Sequence, residues 1–366
     1  MNVDRRTLLK AAAAVSVCGG VPPLASAYGA FNPRPGHWRS FEIVTDLQIA
    51  KPVGKAQAWV PVPSVNEADW FRSLESEWSG NGRATLMRDA KCGATFVHVK
   101  WEEGETAPTM TVTSRISTRD RAIDLSKPGD AKPLSPAEFN FYTEGTRLIP
   151  VDGIVKQMSD QIVAGAATDL DKARAIYEWI VAHTYRDAKV RGCGTGDILS
   201  MLRTGDLGGK CADINALFVG LVRAAGIPAR DLYGIRVAPS QFGYRSLGAN
   251  SAVITKAQHC RAEVYLVGFG WVAADPADVR KVMLEEPAGD LAMDDPKVVA
   301  ARMTLFGAWE GNWLAYNFAH DIDLPGAHGP AIGFLMYPEG ECGNSRLDCL
   351  DPASFRYTIT ARELSA

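Results

Sequence analysis

The stretch GGKCADINALFVGLVRAAGIPAR, from Gly208 to Arg230, constrains the fold of this chain more than any other segment. Its apolar residues Ile214, Leu217, Phe218, Leu221, Val222 and Ala225 recur at spacings of three and four, which makes one buried stripe on a helix. Gly226 is placed to cap the C-terminal end, and Pro228 blocks continuation. Cys211 falls in the first turn, on the side of Ile214 and Phe218, and so faces the body of the protein. A helix N-terminus offers free N–H groups and the positive end of the dipole. Such positions lower a cysteine pKa from about 8.5 to roughly 3.5–7.5. The Cys211 N–H can also hold an oxyanion, and Gly208 and Gly209 leave room for a substrate backbone. Without a base nearby, the same cysteine is simply a small buried hydrophobe.

A base and an orienting carboxylate are expected from QHCRAEVYLVGFGWVAADPADV. His259 opens a strand in which His259, Arg261, Glu263 and Tyr265 share one face, while Cys260, Ala262, Val264 and Leu266 share the other. A second strand, WVAAD, ends at Asp275 because Pro276 cannot continue it. An odd-length loop centred on Gly268 places Asp275 opposite Arg261, diagonal to His259 and on its face. A two-residue loop sends it to the other face. Cys211 as nucleophile, His259 as base and Asp275 as orienter would form an acyl-transfer constellation.

Together these stretches resemble the transglutaminase-like family of the papain-like cysteine peptidase superfamily. The matching motifs are GKCADINALFVGLVRAAGIPAR, the strand from His259 to Leu266, and Gly270 to Pro276, in the family's order. The resemblance implies Cys211 as nucleophile, His259 as general base and acid, and Asp275 as orienting carboxylate. It departs at Arg261, where family members commonly carry an aromatic. Gly208, Gly209, Arg261 and Trp271 are expected to border the substrate groove. The implied fold class is α+β, with helices packed on an antiparallel sheet and a small all-β domain in front.

Residues 37–125 read as that β-domain, rich in β-branched and aromatic residues between Pro and Gly. Residues 126–145 read as a linker, 146–290 as the core, and 291–366 as strands completing or extending it. In the core, DLDKARAIYEWIVAHTY predicts a helix capped by Asp169 or Asp171. Trp309, Trp313, Tyr316 and Phe318 are expected on the inner face of a sheet.

The first 27 residues contain Arg5 and Arg6, an apolar run and Ala25-Ser26-Ala27, the pattern of a cleaved export signal. DRRTLLK resembles the twin-arginine type, and an ordinary Sec signal is the alternative. A periplasmic or secreted location follows, with no stable membrane insertion after removal. The remaining chain has 36 basic and 41 acidic side chains, which gives no case for nucleic acid as a partner. That compartment permits disulfides, and Cys342 and Cys349 are the expected pair. The absence of C-x-x-C spacing argues against a redox role for Cys193, Cys211 and Cys260, and no metal or other cofactor is expected. The function expected is a thiol hydrolase or acyltransferase acting on amide bonds of peptides or proteins, the cell envelope being one source, with peptidase or amidase chemistry favoured over transamidation. The alternative is a catalytically silent binding or scaffold module of the same fold.

Overall fold

The structure is a computed structural model and describes residues 31–365. The expected export signal, residues 1–27, lies outside the described residues.

The N-terminal part is built from two antiparallel sheets. One places Asn66–Glu67, Phe71–Gly80, Thr109–Thr118, Arg39–Ile49 and Phe355–Leu364 side by side. The other orders Arg83–Arg88, Thr95–Lys100, Ala56–Val62, Glu339–Cys342 and Ser345–Arg346. Thr109–Thr118 alternates strictly, with Met110, Val112, Ser114, Ile116 and Thr118 buried, the period of a strand with one covered face. Leu47, Val60, Val97, Val112 and Phe355 pack together between the two sheets.

The core sheet has four antiparallel strands in the spatial order Gly270–Ala274, Gln258–Leu266, Ala229–Arg236 and Trp313–Asn317. Of the C-terminal strands expected to complete or extend the core, Trp313–Asn317 joins its sheet. Glu339–Cys342 and Phe355–Leu364 return instead to the N-terminal sheets. The return has a physical reason, because pairing with Phe355–Leu364 covers what would otherwise be a long open edge on Arg39–Ile49. The expected linker contains a helix, Pro136–Thr143, opened by a capping box from Ser135 and Glu138. The helix Asp169–His183 is capped by Thr168, with Asp171 returning the bond at the third position, rather than by Asp169 or Asp171.

The helix Cys211–Ala224 is buried along its whole length. It packs on the strands Gln258–Leu266 and Ala229–Arg236, and Gly153–Ile162 and Asp169–His183 pack on it. Its polar positions are therefore buried as well, and each has partners. Arg223 donates to the Ala229 carbonyl at 2.8 Å, and Asp213 accepts from the N–H groups of Thr195 and Gly196, each at 2.9 Å. The chain leaves the helix at Gly226 with φ of +81°, a conformation natural to glycine.

Gly234 lets two neighbours come close. A Cβ there would stand 2.0 Å from the Leu314 carbonyl oxygen and 2.4 Å from the Trp313 ring. Across the sheet from Gly234 is His259, whose carbonyl accepts the Trp313 indole N–H at 3.0 Å. Gly234→Ala is therefore expected to cost about 1–3 kcal/mol through overpacking, read as a lowered Tm. An unchanged Tm would show that this part of the sheet yields freely.

Candidate active site

Cys211 is the first residue of its helix, and the turn before it is held by Asp213. One carboxylate oxygen takes the Thr195 and Gly196 N–H groups, and the other takes the Lys210 N–H at 3.0 Å. The Ala212 N–H is bound to the Cys193 carbonyl at 2.9 Å. The Cys211 N–H keeps no acceptor among the described residues. The Cys211 thiol is buried beside two more thiols, Cys193 and Cys260. The neighbouring Cys193 and then Cys260 hold it well below the ordinary thiol range, with His259 adding to the effect against the opposing influence of burial. Spacing alone gave no reason to bring Cys193 to this point.

Gly208 and Gly209 do not border an open groove. A Cβ on Gly208 would meet the Tyr185 ring at 2.3 Å, and one on Gly209 would meet the Asp213 Cβ at 2.6 Å. These glycines permit close packing of the turn before Cys211 rather than substrate approach.

The His259 strand and its neighbour pair Leu266 with Gly270 and Ala262 with Ala274. The loop is thus the odd, three-residue one, and the next step brings Asp275 opposite Arg261. His259 Nε2 lies 2.7 Å from Asp275 Oδ2. Asp275 also caps the helix Pro276–Glu285, its Oδ1 accepting the Asp278 N–H at 3.1 Å and the Asn215 amide at 3.2 Å. With Nε2 engaged, Nδ1 is the ring nitrogen left for the Cys211 thiol.

A second carboxylate stands at the same ring. Asp278 Oδ1 is 3.3 Å from His259 Nε2, and Arg236 Nη2 contacts both Asp278 oxygens at 2.6 and 2.7 Å. Burial alone would lower the His259 pKa, but Asp278 and then Asp275 outweigh it and raise the ring to about 9. Burial and the neighbouring Asp278 raise Asp275, while His259 opposes them. Asp278 titrates well below the usual range because Arg236 and His259 overcome its burial. Asp278, Asn215 and Arg236 were not expected from sequence. The signals were a carboxylate three residues after Asp275 and an amide four residues after Cys211, both on helices.

Arg261 is likewise not a groove residue. Its guanidinium is buried over the rings of Trp309 and Trp313, at 5.0 and 4.8 Å, and donates to the Glu310 carbonyl at 3.1 Å. Its Nε stands 3.8 Å from Asp275 Oδ2. Trp271 packs edge-on to Tyr142 and Tyr265 beneath Arg230, away from the thiol. Trp309, Trp313 and Tyr316 are buried as expected of core residues, and Phe318 packs against the core. Cys342 and Cys349, expected as a disulfide, are free thiols. Cys349 is directed to the Glu339 carboxyl, and burial pushes its pKa up to about 12.

The thiol and the imidazole open into one cleft of about 510 Å³, whose lining includes Cys193, Cys211, Gln258, His259 and Tyr337. Gln258 Nε2 is buried there with no hydrogen-bond partner among the described residues.

The family model of the transglutaminase-like superfamily matches residues 156–276, which include Cys211, His259 and Asp275. An uncharacterized protein of Haemophilus influenzae is 36% identical over 373 residues, spanning 97% of this chain and 99% of that one. The chain belongs to the transglutaminase-like superfamily. Its fold is similar to that of a candidate cysteine protease from Cytophaga hutchinsonii, with a TM-score of 0.51 at 16% identity, covering 89% of this chain and 99% of that one. In this transglutaminase-like chain the family match stops at Pro276, so Asp278 lies just beyond it.

His259, Asp275 and Asp278 together have the donor types of a metal site. Their oxygens are already engaged by Arg236, Asn215, His259 and a backbone N–H. The Arg236 and Arg261 charges beside them oppose another cation. The set suits an imidazolium better than a metal ion.

The raised His259 pKa has a sign. The ring's contribution to stability is present in full below its unfolded value near 6.5 and is lost as the pH rises through about 9. Asp278→Asn removes the largest raising charge, so an NMR titration of His259 in that variant is expected to show its pKa moved from about 9 toward 6.5. A titration still near 9 would mean that Asp275 alone holds the charge.

Proposed function

We propose that the protein is an exported thiol enzyme that cleaves or transfers acyl groups at amide bonds of peptides or proteins. The observation that carries this reading is the convergence on one cleft of the Cys211 thiol, at a helix N-terminus, and the His259 imidazole, bound to Asp275 at 2.7 Å, an arrangement in which the thiol is pushed down and the imidazole up. A thiolate and an imidazolium can then coexist near neutral pH, which prepares a nucleophile and a proton donor together. Export rests on the sequence of residues 1–27. No helix among the described residues is long and apolar enough to cross a membrane.

In this mechanism the Cys211 thiolate attacks the amide carbonyl carbon, forming a C–S bond and an oxyanion. The Cys211 N–H and the unpartnered Gln258 amide are the donors for that oxyanion. The oxyanion collapses, the C–N bond breaks, and His259 gives its proton to the leaving nitrogen. Water then attacks the acyl carbon as His259 takes its proton, and the C–S bond breaks to release the carboxylic acid and restore the Cys211 thiolate. Asp275 and Asp278 keep Nε2 protonated and the ring oriented throughout. Water is favoured over a Lys-type amine because the cleft is lined by cations, which repel an ammonium group.

Cys211→Ala is expected to abolish release of new N-termini from a peptide mixture, read by mass spectrometry. Gln258→Ala is expected to lower kcat about 10²–10³-fold with KM little changed, as for loss of one oxyanion donor. A Cys211→Ala protein that retained activity would contradict the reading.

A further inference from the structure

Over the whole sequence acidic residues slightly outnumber basic ones, 42 against 39. The cleft is different. Arg186, Arg191, Lys210, Lys256 and Lys281 line it, and among the described residues Glu285 is the only acidic one in its lining. Glu285 pairs with Arg186 and lies 3.7 Å from Lys281. Asp348, outside the lining, pairs with Arg191 at 2.8 Å. Lys210 and Lys256 have no acidic partner among the described residues. Even with both carboxylates counted, an excess of three positive charges faces the space before Cys211.

The cations come from separate parts of the chain. Arg186 belongs to the short strand Tyr185–Arg186, Lys210 precedes the Cys211 helix, and Lys281 is on the helix Pro276–Glu285. Arg191 and Lys256 come from the segments leading to Cys193 and His259. Convergence of five cations from distant segments on one concavity is not the pattern of a scattered solvated surface. The returning C-terminal segment adds Leu350, Pro352 and Tyr357 to the lining. A concavity lined by one sign of charge against low-dielectric walls concentrates ligands of the opposite sign. Its volume suits a short peptide segment.

We propose that the acyl donor is an acidic peptide, one that carries carboxylates within a residue or two of the amide presented to Cys211. The inference rests on the acyl-transfer reading above for the choice of a peptide, while its charge preference rests on the lining alone. Lys210 and Lys256, whose charges are not matched by the protein, are the residues that pair with those carboxylates. Arg186 and Lys281, already shared with Glu285, add to the field of the cleft.

The test uses the Cys211→Ser protein, which removes thiol chemistry, and three capped peptides titrated by calorimetry at low salt. These are Ac-Ala-Glu-Ala-Glu-Ala-NH2 and its counterparts with Gln or Lys in place of Glu. The expected order of affinity is Glu, then Gln, then Lys. The Glu peptide should bind roughly ten-fold tighter than the Gln peptide, with the advantage vanishing as salt shortens the Debye length to about 3 Å at 1 M. In a variant that also carries Lys210→Gln and Lys256→Gln the Glu advantage should fall several-fold while the Gln peptide binds as before. Equal affinity for the Glu and Gln peptides, an advantage indifferent to salt or to the two lysines, or no binding of the Glu peptide would overturn the proposal. Because binding is read without the thiol, these outcomes are separate from the question of whether Cys211 is a nucleophile, which alkylation of the wild-type protein answers.

Discussion

Arg236, Asp278, His259, Asp275 and Arg261 form a chain of opposite charges through the core, and each is 2% exposed or less. Removing a charge from water costs several kcal/mol even after relaxation, and a buried pair recovers that only where geometry and hydrogen bonds are complete. Here the two carboxylates sit between three bases, and transfer of a proton from Cys211 to His259 leaves unchanged the net charge of the cluster taken together with Cys211. The cluster therefore tolerates both the thiol–imidazole and the thiolate–imidazolium states without exposing an unpaired charge. Truncation of one member would strand its partner in the interior, which is why so much of the fold is arranged around this row.

Several layers close over it. The Cys211 helix contributes Asn215 to Asp275, and the helix beginning at Pro276 carries Asp278 one turn beyond its cap. Trp313 crosses the space left by Gly234 and bonds the His259 carbonyl. Trp309 and Trp313 cover the Arg261 guanidinium. The N-terminal part is fastened to the same sheet by a second buried group. Glu263 binds Arg121 and Arg230, and Arg230 reaches Glu67 at 2.6 Å. Of the buried row only His259 lines the cation-rich cleft, so the row and the open entrance are distinct electrostatic environments meeting at Cys211 and His259.

Much of this was legible from sequence. The apolar spacing of Ile214 to Ala225 located the helix, and Gly226 with Pro228 located its end. The sum of paired residue numbers across Gly268 put Asp275 beside His259 on condition of an odd loop, the loop length that the strand register shows. What covers a face was less legible than which face is which. Arg261 was assigned to the His259 face correctly but expected at a groove, because nothing local announces that Trp309 and Trp313 fold over it. Asn215 and Asp278 were not singled out, since a local periodicity cannot show that a helix is packed on every side. Gly208 and Gly209 looked like open space because the side chains that fill it, Tyr185 and Asp213, are identified only by tertiary contact. Cys193 and Gln258 lacked any motif, and their importance comes entirely from where the fold brings them.

The most direct measurement is the alkylation rate of Cys211 between pH 4 and 10, followed by peptide mass spectrometry under reducing conditions in wild type and His259→Ala. A thiolate paired with an imidazolium predicts that the wild-type thiol reacts at pH values well below the ordinary cysteine titration at about 8.5. It also predicts that His259→Ala moves that reactivity upward. If Cys211 instead reacts only near or above pH 9 in both proteins, no such pair exists in the resting protein, and the account of Cys211 as an activated nucleophile is contradicted.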